Sequence, residues 1–321
     1  MAAAPVQVME RWDTIIIGAG SAGMAAAIYA ARFNLRTLII GQEVGGLLNE
    51  SHNVENYPGF KSIPGLDLMM QFKEHVDNLH VPTVNEWVQS VERKGKHFVV
   101  NTDANAYEGR TIIFATGAKH RHLGAKGEDA FAGKGVSYCA TCDAAFFRNV
   151  PVCVVGGGDA AALAANLLKG FASKVYVIVR KDHMRAEPIN KRRLEESEKV
   201  EIVYGAEVLE VLGESEVTGV RLNKEVGGSD ILPVQGMFVE IGQIIQSELA
   251  ERLGVQLNAK KEIIINGASE TNIPGVYAAG DVGDRAYKQA LTGAAEGAVA
   301  AFSAYALLQK LDGGEDVDVS Y

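Results

Sequence analysis

Two cysteines, Cys139 and Cys142, stand two residues apart in the run Cys139-Ala140-Thr141-Cys142-Asp143. That spacing permits a small disulfide ring and favours a lowered thiolate pKa, and Asp143 sets an ionisable group beside the sulfurs. Thiol–disulfide exchange is the first chemistry this pattern suggests. Zinc is the competing one: His120 and His122 lie upstream, and two histidines with two cysteines can make a tetrahedral site. The spacing matches none of the usual structural zinc patterns, and no metal is expected. The third cysteine, Cys153, sits inside the apolar run 150–155 and reads as a small buried hydrophobe.

Glycine turns supply the second kind of chemistry. Gly18, Gly20 and Gly23 form G-x-G-x-x-G directly after the β-branched run 13–17 and open an Ala-rich helical stretch over 24–33. In such a turn the first glycine permits the tight bend, the second lets a pyrophosphate approach the backbone, and the third lets helix pack on strand. The helix N-terminus then offers free N–H groups to the anion. The acid expected some 20 residues on, to hold a ribose hydroxyl, has Glu43 as its candidate, which reads equally well as a solvated surface residue. A second turn, Gly156, Gly158 and Ala161 with Asp159 between, is the G-x-G-x-x-A variant. The strand after it ends in Arg180 and Lys181, with Arg185 beyond. Basic residues there suit a 2′-phosphate and favour NADP over NAD, the plain alternative being an exposed basic loop.

These turns need elements to hold them. Each lies in a strand–turn–helix–strand unit: 13–17, 24–33 and 35–40 for the first, 150–155, 162–171 and 173–179 for the second. Two such units mean two nucleotide-binding modules in an α/β fold. Between them the sequence predicts strands at 97–102 and 111–117. After them it predicts a meander of short strands over 200–213 and 217–223, with 232–242 leading out of it. A strand at 275–282 runs into a Gly-Asp turn, and an Ala-rich helix follows over 290–309. The acidic end, 312–321, is expected to fray.

Composition sets the outer bounds. A chain of 321 residues suggests about two domains. Its 40 acidic and 31 basic residues leave a formal charge of −9, which argues against nucleic acid or an anionic membrane surface as partner. No run approaches the roughly 18 consecutive apolar residues of a membrane span. The start, Met1 to Trp12, lacks the basic-then-apolar pattern of a secretory signal. Three cysteines are too few for a disulfide-stapled secreted scaffold, so a cytoplasmic location is expected.

Taken in order, the run GAGSAG, the Gly-Gly pair at 45–46, ENYPGF over 55–60, ATGA over 115–118, GKGVSYCATCDAAFF over 133–147, GGGDAA, AAGDV over 278–282 and Lys288-Gln289-Ala290 resemble the low-molecular-weight thioredoxin reductases. The stretch 120–128 is most similar to archaeal-type members. The resemblance covers nearly the whole chain. It implies two nested Rossmann-like domains of the two-dinucleotide-binding flavoprotein type: a split FAD-binding domain, 1–120 and 245–321, around an NADP(H)-binding domain, 121–244, that carries the cysteines. It further implies that Gly18, Gly20 and Gly23 cradle the FAD pyrophosphate, with Gly41, Gln42 and Glu43 near the adenosine. Gly46, Leu47 and Asn56 would line the isoalloxazine. Ala115, Thr116 and Gly117 would close over the cofactor, Asp281 would hold its ribityl or pyrophosphate region, and Lys288, Gln289 and Ala290 would sit at the flavin. NADPH would take Gly156, Gly158, Asp159, Ala161, Arg180, Lys181 and Arg185. Cys142 would face the flavin, Cys139 would attack a thioredoxin-like protein, and Asp143 would be the acid.

The implied activity is electron transfer from NADPH through FAD and a Cys139–Cys142 disulfide to that protein, in a homodimer whose nicotinamide domain turns on hinges near 119–123 and 242–246. Three departures from the family pattern touch this. Leu47 replaces a glutamine near the flavin, Val179-Arg180-Lys181 replaces His-Arg-Arg at the phosphate site, and Lys288 replaces an arginine. The second keeps a ferredoxin or a deazaflavin open as alternative donor, and the exit link at 242–247 lacks the family's proline. A flavin-binding redox sensor without turnover is the rival class. The reductase subunit of a peroxide-reducing system would need an added N-terminal thioredoxin-like module, which is not expected here.

Overall fold

The computed structural model describes residues 10–50, 54 and 56–313; the side chains of residues 10, 50, 141 and 142 lie outside that description. In chain order the elements begin with β1 (Glu10–Ile17), α1 (Ser21–Arg32), β2 (Thr37–Ile40), α2 (Gly65–Asn78), β3 (Thr83–Val84), β4 (Val88–Lys94), β5 (His97–Thr102), β6 (Ala106–Phe114) and β7 (Ala118–His120). There follow β8 (Val136–Ser137), α3 (Ala140–Asp143), β9 (Pro151–Val155), α4 (Asp159–Leu168), β10 (Lys174–Val179), α5 (Pro188–Glu195), β11 (Val200–Tyr204), β12 (Val208–Gly213), β13 (Val217–Val226), β14 (Ser229–Leu232) and β15 (Gly236–Val239). The chain closes with β16 (Gln243–Ile245), α6 (Glu248–Leu253), β17 (Val276–Ala278) and α7 (Ala290–Leu311). They form two compact units, one of residues 1–49, 53–118 and 245–321, the other of 50–52 and 119–244.

The first unit is built on a sheet of order β3-β2-β1-β6-β5-β4, with β17 beside the C-terminal half of β6. Strands β2, β1, β6 and β17 run parallel, and β5 and β4 run antiparallel to form its edge. Parallel strands are covered on both faces, so their sequences are continuous apolar runs. The two-residue period sorts the run Ile15–Ile17: Ile16 packs with α1, α2 and α7, while Ile15 and Ile17 pack on the opposite layer with Leu38, Ile40 and Val255. Helix α7 approaches α1 closely, since a Cβ on Gly297 would stand 2.1 Å from the Ala22 carbonyl oxygen. By length and composition α7 could cross a membrane. Gly, Ser and Glu296 interrupt its apolar residues, so no unbroken apolar run exists, and half of its most apolar stretch is buried, as in a core helix.

The second unit holds a five-stranded parallel sheet, β11-β10-β9-β15-β8, and an antiparallel meander, β12-β13-β14. Here the expected meander is corrected. Residues 200–204 join the parallel sheet beside β10 rather than the meander. The reason is α5, a crossover helix whose sequence, PINKRRLE, is too charged to show an apolar stripe. Where the chain passes between units, β7 and β16 pair as a two-stranded ribbon. Asp312, expected to lie in a frayed end, bonds the Arg110 guanidinium at 3.0 Å through Oδ2; residues 314–321 lie outside the described residues.

Candidate active site

In the first unit the expected residues gather at the carboxyl ends of β1, β2, β6 and β17. Strand β1 pairs β2 on one side and β6 on the other, the switch point at which open α/β sheets bind ligands. The three glycines of the first turn differ in what they do. Gly18 holds φ +113°, and a Cβ there would meet the Ala115 carbonyl oxygen at 2.1 Å. A Cβ on Gly23 would meet the Gly18 carbonyl oxygen at 1.9 Å, so this glycine seats α1 against the turn. Gly20 has open space above it, its nearest neighbour the Gly45 carbonyl oxygen at 3.9 Å. It is also the N-cap of α1 and supplies no side-chain cap, so the first-turn N–H groups face that opening. This is the fit expected of a pyrophosphate cradle. The Gly45 N–H donates to the Ala19 carbonyl at 2.8 Å, which lays the 41–47 loop beside the turn; Gln42 and Glu43 are exposed, Gly41, Gly46 and Leu47 half-buried. In that loop Asn49 donates through Nδ2 to Val44, while its buried Oδ1 has no partner among the described residues. A buried acceptor in this state is one a bound group would satisfy, and the sequence carried no signal for it.

Across the sheet, Asn56 donates through Nδ2 to Gln289 Oε1 at 2.9 Å, so two expected residues 233 positions apart meet. Gln289 caps α7, of which Ala290 is the first residue, in a reciprocal box with Thr292. Thr116 donates through its hydroxyl to the Gln246 carbonyl at 2.6 Å, and Gly117 accepts the Gln246 N–H at 3.0 Å, which fixes the loop after Ala115. Lys288 is engaged within the protein: its ammonium bonds Glu262 Oε1 at 2.6 Å and the Asp281 carbonyl at 2.7 Å. Burial alone would push the Glu262 carboxyl up, but Lys288 and the Asn258 amide overcome this and hold it below the usual range. Asp281 is raised by burial, with Lys288 acting against the shift. Glu296, which no motif marked, accepts the Gly280 N–H at 2.8 Å and so props the turn bearing Asp281; burial raises its carboxyl as well.

In the second unit Cys139 is disulfide-bonded and half-buried. Its carbonyl accepts the Asp143 N–H at 3.2 Å, so the backbone of the run makes one helical turn, which brings positions 139 and 142 to one side. The side chain of Cys142 lies outside the described residues. Ser137 Oγ accepts the Cys139 N–H at 3.0 Å and donates to its carbonyl at 3.2 Å. Cys153 is a free thiol in the core, pushed up to about 12 by burial, and takes no part in exchange. His122 lies 3.1 Å from both the Tyr138 hydroxyl and the Asp129 carboxylate. Among the described residues no three His, Cys, Asp or Glu side chains converge as metal ligands.

The second glycine turn leads into α4. A Cβ on Gly156 would stand 2.1 Å from the Glu240 carbonyl oxygen, whereas Gly158, the N-cap, has nothing within 4 Å. Ala161, fully buried, seats the helix. The open Gly158 and the uncapped helix start fit a second pyrophosphate. The segment 185–187 is fastened beside this turn: the Arg185 N–H donates to the Gly157 carbonyl at 2.7 Å, and Asp159 Oδ1 accepts the Glu187 N–H at 2.5 Å. Asp159 thus serves as a backbone clamp. Arg180, Lys181 and Arg185 are all exposed at this end of the sheet, and Arg180 lies 3.7 Å from Glu207.

With this geometry in hand, comparison with known proteins is informative. Residues 12–297 match the family model of the pyridine nucleotide-disulphide oxidoreductases. The chain is 40% identical to a thioredoxin reductase of Listeria monocytogenes over 94% of its own length and 95% of that protein's. Among solved structures, the thioredoxin reductase of Lactococcus lactis superposes with a TM-score of 0.86 at 35% identity, covering 93% of this chain and 99% of the other. That of T. acidophilum gives 0.83 at 34% identity, with 92% and 98% covered.

Proposed function

The chain belongs to the pyridine nucleotide-disulphide oxidoreductase family, and from that premise we propose that it is a thioredoxin-disulfide reductase using FAD and NADPH. The observation that carries the reading is the disulfide-bonded Cys139 in a unit that also holds an open, uncapped glycine turn. FAD, when bound, supplies a two-electron acceptor for NADPH and a donor to a disulfide. Gly18, Gly20, Gly23 and the first turn of α1 would hold its pyrophosphate, Asp281 and the 115–117 loop its middle, and Asn56, Gln289 and Ala290 the ring. Gly156, Gly158 and α4 would hold the NADPH pyrophosphate, with Arg180, Lys181 and Arg185 at the 2′-phosphate. Lys288 acts one step back, on Glu262 and the Asp281 loop.

The protein's own chemistry lies in the cysteines. Cys139 pairs with Cys142. Two electrons delivered at Cys142 break the S–S bond and release Cys139 as a thiolate, with Asp143 the proton carrier for the pair. Cys139 then attacks the thioredoxin disulfide to form a mixed disulfide, and Cys142 displaces it, re-forming the ring and releasing the dithiol. Phe146, 81% exposed just past this run, offers an apolar landing point for the partner, while Phe147 is turned inward onto Phe238. Exposed Tyr29, Met70, Leu291 and Val299 on α1, α2 and α7 suit a second copy of the chain, giving a homodimer. A dithiol cycle fed by NADPH belongs in the reducing cytoplasm.

Anaerobic titration with NADPH, followed by flavin absorbance, tests the reading. Prompt bleaching is expected, complete at about two equivalents because the disulfide takes one of the two electron pairs. A flavin that stays oxidised with NADPH yet bleaches with dithionite would overturn the donor and point to a ferredoxin or deazaflavin.

A further inference from the structure

Glu128 is 2% exposed and takes no part in the chemistry above. Its carboxylate gathers three donors: Oε1 accepts the Leu123 N–H at 2.8 Å and the Tyr138 hydroxyl at 2.9 Å, and Oε2 accepts the Gly124 N–H at 2.5 Å. The donors come from two places. Leu123 and Gly124 follow β7, where the chain enters the second unit; Tyr138 immediately precedes Cys139. The Tyr138 ring lies against His122, centroids 4.7 Å apart, on the same entering segment. That segment is itself tied to the departing strand, since the Arg121 N–H donates to the Gly242 carbonyl at 3.0 Å. Burial first, and the Glu128 carboxylate second, hold the Tyr138 phenol above its ordinary range, so it remains a hydrogen donor.

We propose that Glu128 is a positioning residue for the redox disulfide: through the Tyr138 hydroxyl it fixes the backbone of Cys139 against the segment by which the chain enters this unit. The proposal rests on reading Cys139 and Cys142 as the exchanging pair. Hydrogen bonds to a buried carboxylate are the strong kind, and here one ends at the residue next to the sulfur. Ser137 brackets the same backbone from within its own loop, while Glu128 and His122, through Tyr138, hold it from outside that loop. A fixed backbone keeps one thiol at high effective concentration toward the other and favours the disulfide over the dithiol. Releasing the tie shifts the balance toward the dithiol.

The test equilibrates full-length, flavin-loaded wild type and Tyr138→Phe in dithiothreitol buffers of graded ratio. Reduction consumes two electrons and two protons from dithiothreitol, which closes to its cyclic disulfide; free thiols are then alkylated and counted by mass. Tyr138→Phe is expected to shift the equilibrium toward dithiol by up to about tenfold, or ~30 mV. It is also expected to lower kcat for thioredoxin with KM unchanged. Glu128→Gln is expected to move the same way and carries the test should the first variant fold poorly. If both variants match wild type within about twofold and only their melting temperatures fall, the positioning role is overturned. If wild type itself shows no exchangeable disulfide, it is the reductase reading that fails.

Discussion

Glu262 and Lys288 show what a charge does when it is nearly out of water. The Glu262 carboxyl sits below its ordinary value of 4.5, held there against the effect of burial by Lys288 and Asn258. A carboxyl lowered by folding adds stability above its unfolded pKa and loses that contribution as acid titrates it through the lower folded value. Lys288→Met leaves a buried carboxylate unpaired and is expected to destabilise by about 2–4 kcal/mol near neutral pH. In urea titrations that difference should shrink as pH falls, because burial without Lys288 raises the Glu262 carboxyl in the variant and neutralises it before the wild type's. A difference that is the same in acid would show the contact to be packing rather than charge. At the surface, Phe146→Ala is expected to raise KM for thioredoxin about three- to tenfold with kcat retained, the size of a modest interface anchor. An unchanged KM would move the docking surface elsewhere. Residue types and spacing marked Cys139 and the glycines, whereas Asn56 and Gln289 came only from the resemblance to the reductases. Neither revealed Glu128, Glu296 or the Lys288–Glu262 pair, since such partners meet only through the fold.

At the scale of elements, the two strand–turn–helix units were readable because their strands are continuous apolar runs and their helices are Ala-rich. Helices α2 and α5 were not, one carrying mostly polar residues in its second half and the other five polar or charged residues in eight. Missing α5 is what misplaced β11. The glycine geometry separates two variants that look alike in sequence. Gly20→Ala meets open space at φ −81°, so the fold is expected to survive with FAD affinity down at least tenfold, because the methyl enters the pyrophosphate cradle. Gly23→Ala puts a methyl 1.9 Å from a backbone oxygen and is expected to lower the melting temperature by several degrees as α1 is pushed off the turn. Melting curves of the apoproteins alongside flavin titrations distinguish them. Equal destabilisation by both would contradict the division of labour between the two glycines.

At the scale of the whole molecule, the chain passes between its units at 118–119 and again at 244–245, and these two crossings pair as the β7–β16 ribbon. Two glycine turns implied two modules from the sequence, and the cysteine pair lies in the module of the second turn. Under the proposed reading the disulfide and the pyridine nucleotide share one unit, while FAD is assigned to the other. Electrons must pass through that one sulfur pair to reach thioredoxin. The decisive measurement is NADPH oxidation in the presence of oxidised thioredoxin, run with wild type and with Cys139→Ser, the flavin spectrum recorded in parallel. Wild type should turn over; Cys139→Ser should have its flavin reduced by NADPH at the normal rate and yet reduce no thioredoxin. Thioredoxin reduction that persists without Cys139 would contradict the proposed path.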